Sequence, residues 1–115
     1  MASTIGERYR RLTQELKELQ SKHIQFEIDM QHHERVLETI STLADDRKCY
    51  RLVGEILVQT TIGEARPALK SQLENLKEVV ETFKQKTEMK SKEIQQFQVD
   101  NKIQIKPISE LQEKQ

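Results

Sequence analysis

Tryptophan is absent from this sequence, and glycine, proline, cysteine and aromatic residues are all scarce: three, two, one and 4% of a 115-residue chain. So few aromatic and small residues leave little material for a broad globular core, and so few helix breakers leave few places for sharp turns. A single cysteine, Cys49, forms no internal disulfide, which suits a reducing compartment and makes a cytoplasmic address the expectation. Nineteen basic and nineteen acidic side chains cancel, so no electrostatic attraction to nucleic acid or anionic lipid is built in. Arg8, Arg10 and Arg11 form only a small basic cluster. Long apolar runs are missing too: Ile56, Leu57 and Val58 are the longest strictly aliphatic stretch, and neither a signal peptide nor a membrane span is expected.

What is present is charge, at 33% of residues, laid around periodic apolar positions. Tyr9, Leu12, Leu16, Leu19, His23, Phe26, Met30, His33, Leu37 and Ile40 follow one another in steps of three and four, a heptad seam interrupted twice by histidine. This periodicity argues against disorder, the other state open to so charged a composition. Glu7 with Arg11 and Glu18 with Lys22 are acid-to-base pairs four apart in the favourable direction. Thr4 and Glu7 have capping-box spacing, so a first helix is expected over residues 5 to 44, about 60 Å long at the usual rise.

A second seam runs through Leu69, Leu73, Leu76, Val80, Phe83, Thr87, Lys90, Ile94, Phe97 and Asn101. Two seams in one chain invite antiparallel pairing. The register that places polar residues together sets Ile40 with Leu73, Met30 with Phe83, Phe26 with Thr87, His23 with Lys90, Leu19 with Ile94 and Leu16 with Phe97. A shift of one heptad would set Lys90 against Leu16 and His23 against Phe83, and is disfavoured on that ground.

Between the seams, residues 45 to 61 lose helical period and gain strand formers. Gly54-Glu55, flanked by Tyr50 to Val53 and Ile56 to Gln59, is the Gly-X pair of a type II′ hairpin turn. A second helix is expected over 62 to 101, with Thr61 and Glu64 as its capping box. Pro67 then lies inside the second turn, unless regular helix starts at Pro67 itself. Residues 102 to 115 read as an extended or mobile tail containing Ile103 and Ile105. The fold class is therefore mainly α: one domain, an antiparallel two-helix coiled coil with one β-hairpin between the helices.

An isolated hairpin is marginal in water, and its open edges carry unpaired backbone groups. A two-helix arm offers no face wide enough to bury Cys49, Tyr50, Leu52, Val53, Ile56, Leu57 and Val58 around Gly54. Hairpins from several subunits are therefore expected to join in a larger sheet or barrel. Sharper chemistry finds little support. His32 and His33 point about 100° apart on a helix and lack the further ligands of a zinc site, and Cys49 has no sequence-evident base. No phosphate-binding glycine loop or nucleophile motif is visible. Neither cofactor nor metal nor enzymatic activity is expected.

Helix, single hairpin, helix, with Arg47-Lys48-Cys49-Tyr50-Arg51-Leu52-Val53-Gly54 in the hairpin, Pro67-Ala68-Leu69 after it and Asn101-Lys102-Ile103-Gln104-Ile105 closing the second arm, resembles the β-class subunits of prefoldin over about residues 10 to 106. The resemblance implies a heterohexamer of two α-class and four β-class subunits with hairpins in a double β-barrel and coiled coils hanging from it. It further implies ATP-independent capture of unfolded actin and tubulin chains and their transfer to the cytosolic chaperonin. Hairpin residues 49 to 53 and 56 to 60 would be barrel strands, and Ile5, Tyr9, Leu12, Phe97, Ile103 and Ile105 would be substrate-contacting tips, exposed where the seam frays. The competing expectation is a coiled-coil tether or scaffold subunit without chaperone activity, whose end residues merely close the coil.

Overall fold

A computed structural model describes residues 4–103. Along the chain run α1 (Ile5–Ile40), β1 (Lys48–Val53), β2 (Ile56–Thr61) and α2 (Ile62–Asp100). The helices lie antiparallel and the strands form a two-stranded antiparallel sheet between them, in a body 70 × 36 × 24 Å. Among the described residues no helix is long and apolar enough to cross a membrane.

Each helix starts on a threonine. The Thr4 hydroxyl accepts from Glu7 N at 3.0 Å, and the Thr61 hydroxyl accepts from Glu64 N at 3.4 Å, so an orphan amide of each first turn is satisfied. Every residue of both seams is at least half-buried, whereas most residues between them are exposed. Among the described residues only Ile62, Ala65 and Ile94 are fully buried apolar groups, two of them where α2 leaves the hairpin.

The first helix ends at Ile40, short of the expected residue 44, at about 54 Å for 36 residues. Ser41 and Leu43 amides reach back three residues, to Glu38 O and Ile40 O, which tightens and ends the helix. No basic residue lies in its last turn. Arg66, from the first turns of α2, supplies that cation: its Nε and Nη2 donate to Ile40 O at 3.3 and 3.0 Å, and its guanidinium also bonds Leu43 O and the Asp45 carboxylate. Ile62 N donates to Arg47 O and Gly63 N to Asp45 O, each at 2.9 Å. A Cβ on Gly63 would come within 3.2 Å of Asp45 Cβ, so glycine permits that approach.

The register differs from the expected one by a heptad. Phe97 stacks on Tyr9, not Leu16, at a centroid distance of 6.3 Å. Lys90 reaches Glu15, beside Leu16, at 2.8 Å. Gln72 lies 3.3 Å from the His33 ring, and Ile40 faces Arg66 in place of Leu73. The hairpin explains the shift. Lys48 pairs with Thr61, and Thr61 caps a helix beginning at the next residue, so α2 cannot slide without losing its first turns. Lys90 tolerates its seam position because its stem lies along the seam while its amine escapes to two carboxylates.

At the far end, α2 closes on a left-handed cap. Lys102 takes φ 55°, its amide donates to Val99 O at 3.3 Å, and Ile103 N donates to Gln98 O at 2.9 Å, the paired bonds of a Schellman motif. Residues 102 and 103 thus fold back on the helix end, where an extended or mobile tail was expected.

Candidate assembly and capture surfaces

The hairpin is held by a two-residue turn. Gly54 has φ 62° and Glu55 does not have positive φ, the sign pattern of type II′. In-register pairs run from Lys48 with Thr61 to Val53 with Ile56, and cross-strand partners share a face. One face therefore carries Tyr50, Leu52, Leu57 and Gln59. The other carries Arg51, Val53, Ile56 and Val58, with Cys49 and Thr60 nearer the helices.

Both faces are wet. Tyr50, Leu52, Val53, Ile56, Leu57 and Val58 expose between 45% and 69% of their surface. Cys49 and Thr60 are half-buried, and the Thr60 hydroxyl donates to the Glu64 carboxylate at 2.8 Å, which ties the hairpin base to α2. Six exposed apolar side chains on two faces, of a sheet with no third strand among the described residues, are more than singly scattered surface residues.

The open end of the coil is more closed. Tyr9 and Phe97 stack at 20°, Gln98 Nε2 donates to the Tyr9 hydroxyl at 2.9 Å, and the Arg8 guanidinium lies 5.5 Å over the Phe97 ring. Arg8, Arg11, Leu12, Glu93, Phe97 and Asp100 line a shallow groove with an apolar floor and rims of both charges. Tyr9, Leu12, Phe97 and Ile103 are half-buried, and Ile5 is exposed. The structure thus brings five tip candidates to one end; Ile105 lies outside the described residues.

Along the arm, Lys90 bonds Glu15 at 2.8 Å and Glu93 at 2.9 Å. The hydrogen bond from Lys90 holds the Glu15 carboxyl below its ordinary 4.5, and the bonds to Glu15 and then Glu93 raise the Lys90 ammonium above 10.5. His23 lies 4.0 Å from the Glu27 carboxylate. The His33 Nδ1 lies 2.9 Å from the Asp29 carbonyl, while the Asp29 carboxylate accepts from Gln25. Phe26 and Phe83 stack at 5.3 Å between these polar layers. Among the described residues no three His, Cys, Asp or Glu side chains gather as a metal site.

Arg66, Gly63 and Glu15 were not legible as organising residues from spacing. The one available signal for Arg66 was indirect: α1 ends without a cation of its own.

An antiparallel two-helix arm carrying one solvent-exposed, two-faced apolar hairpin defines a subunit of the prefoldin type. A family model described as prefoldin subunit matches residues 3–107. Prefoldin subunit 2 of Homo sapiens is 35% identical over 97 residues, 84% of this chain and 63% of the human protein. Prefoldin subunit 2 of Saccharomyces cerevisiae is 33% identical over 98 residues, covering 85% of this chain and 88% of the yeast one. The prefoldin beta subunit of Thermococcus strain KS-1 superposes with a TM-score of 0.72 at 19% identity, over 84% of both chains. The chain belongs to the prefoldin subunit family, and its fold is that of the beta subunits. It spans somewhat under two thirds of the length of the mammalian relatives it matches.

Proposed function

We propose that this chain is a β-class subunit of a hexameric, ATP-independent co-chaperone that captures unfolded proteins and passes them to a chaperonin. The observation that carries the reading is the hairpin with both faces apolar and exposed. At roughly 1.5 to 3 kcal/mol for burying each large apolar side chain, covering six of them is a driving force comparable to a domain's whole stability. Hairpins of sibling α- and β-class subunits are the occupants proposed, joined edge to edge and closed into barrels. Actin and tubulin chains as clients, transfer to the cytosolic chaperonin, and a cytoplasmic location extend the same reading from the family resemblance.

Capture falls to the helix tips. Ile5, Tyr9, Leu12, Phe97 and Ile103 form an apolar end rimmed by Arg8, Arg11, Glu93 and Asp100, and Ile105, outside the described residues, is proposed with them from the family resemblance. Loosening of that end offers weak, adaptable contacts to an unfolded chain. One observation favours the scaffold alternative: Tyr9 and Phe97 are stacked and half-buried, as residues that only close a coil would be.

Reconstitution with α-class partners decides between the two. The assembled complex is expected to suppress aggregation of an unfolded protein without nucleotide, and removal of residues 1–9 and 99–115 is expected to weaken capture while leaving assembly intact. A correctly assembled complex with no suppression supports the scaffold.

A further inference from the structure

Heptad layers alone also allow a register one heptad from the observed one. Sliding the helices by one heptad would place Leu19 against Ile94, Leu16 against Phe97 and His23 against Lys90, gathering polar with polar. In the structure Leu19 instead lies along a groove with Lys86 and Lys90. The observed pairing keeps its own cross-arm contacts, the Tyr9–Phe97 stack and the Lys90–Glu15 bond among them, and at the junction beside the hairpin a further set converges on one residue.

We propose that Arg66 is a positioning residue for the whole arm: by gripping the end of α1 it selects the observed register over the one a heptad away. Its guanidinium bonds the Leu43 carbonyl, joins the Leu43 amide on Ile40 O and pairs with Asp45, while Ile62 and Gly63 amides bond Arg47 O and Asp45 O alongside. The turn that bears it is weakly held by its own helix. Pro67 has no amide to give the Gly63 carbonyl, and a residue before proline is disfavoured in helical conformation. Proline is also well suited to begin a helix, so α2 can restart at Pro67 and release 62–66 as linker. Without Arg66's grip, the arm slides by about 10 Å, one heptad at the helical rise. The slide carries Ile5 and Tyr9 past the last turn of α2 and unstacks Tyr9 from Phe97. The register claim stands independently of the capture reading.

The test is pulsed electron paramagnetic resonance on the full-length chain with Cys49→Ser and spin labels at exposed outer positions. Gln20→Cys with Gln85→Cys forms a level pair in the observed register, and Gln20→Cys with Lys92→Cys forms a level pair after the slide. Adding Arg66→Ala is expected to lengthen the first distance and shorten the second. A lowered Tm with both distances unchanged means that Arg66 only stabilises the junction, and overturns the proposal. Should Arg66→Ala lose its helical signal, Arg66→Gln keeps a packed stem and one donor, and the same pair of distances decides. Arg66→Lys, which retains the cation at the carbonyl end of α1, is expected to restore the observed distances at least in part.

Discussion

Residue by residue, the chain departs from ideal coiled-coil chemistry where a neighbour compensates. Lys90 occupies a seam position, and its amine is drawn out by Glu15 and Glu93. Because the folded Glu15 carboxyl titrates below its ordinary value, that pair's contribution is complete above about pH 4.5 and is lost as pH falls through the lowered value. Because Lys90 is raised, the contribution is complete below about pH 10.5 and is lost as pH rises through the raised value. Lys90→Leu extends the apolar seam and is expected to raise the thermal midpoint. Its advantage over the parent should widen below pH 4.5, where the parent loses the pair; thermal melts at pH 7 and pH 3.5 check this. Lys102 is the second departure, a lysine at φ 55° where glycine would sit without strain. Lys102→Gly is expected to stabilise by about 1 kcal/mol, the order of cost of a left-handed side-chain-bearing residue, measurable by urea denaturation.

At the scale of elements, helices, caps and hairpin were largely legible because each is written in local chemistry. Thr4 with Glu7 and Thr61 with Glu64 mark the two helix starts, and Gly54-Glu55 marks the turn. Thr61→Ala removes the cap at the one point where strand passes directly into helix. A loss of about 1 kcal/mol is expected, again by denaturant titration. The register was not legible, because heptad layers alone are satisfied by more than one alignment and the deciding contacts are nonlocal. Nothing in the spacing of Arg66, Asp45 and Ile40 reveals that they meet. The end of α1 was misplaced for the same reason: residues 41–44 carry helix-compatible types, and the turn is stopped by the route the chain must take to Lys48. Leu52→Asp together with Ile56→Asp places one charge on each face of the hairpin. The pair is expected to abolish assembly while the far-UV helical signal of the arms remains, since neither residue touches the seam.

As a whole molecule, the protein is an arm with little core of its own and one end that is unsatisfied. Ile62, Ala65 and Ile94 are its only fully buried apolar residues among those described, and the most exposed apolar cluster lies on the hairpin at the opposite end from the Tyr9–Phe97 stack. That polarity is the physical basis for proposing assembly at one end and capture at the other. Tyr9, Leu12 and Phe97 were legible as seam residues, but not as part of a stacked and capped end, because the Lys102 turn that folds Ile103 back has no glycine to announce it. The most direct test of the central claim is a native mass measurement of this chain mixed with α-class and β-class prefoldin partners, alongside the Leu52→Asp, Ile56→Asp variant. A single hexameric mass containing the parent chain is expected, and none containing the variant. A hexamer that incorporates the variant as readily as the parent would contradict that claim.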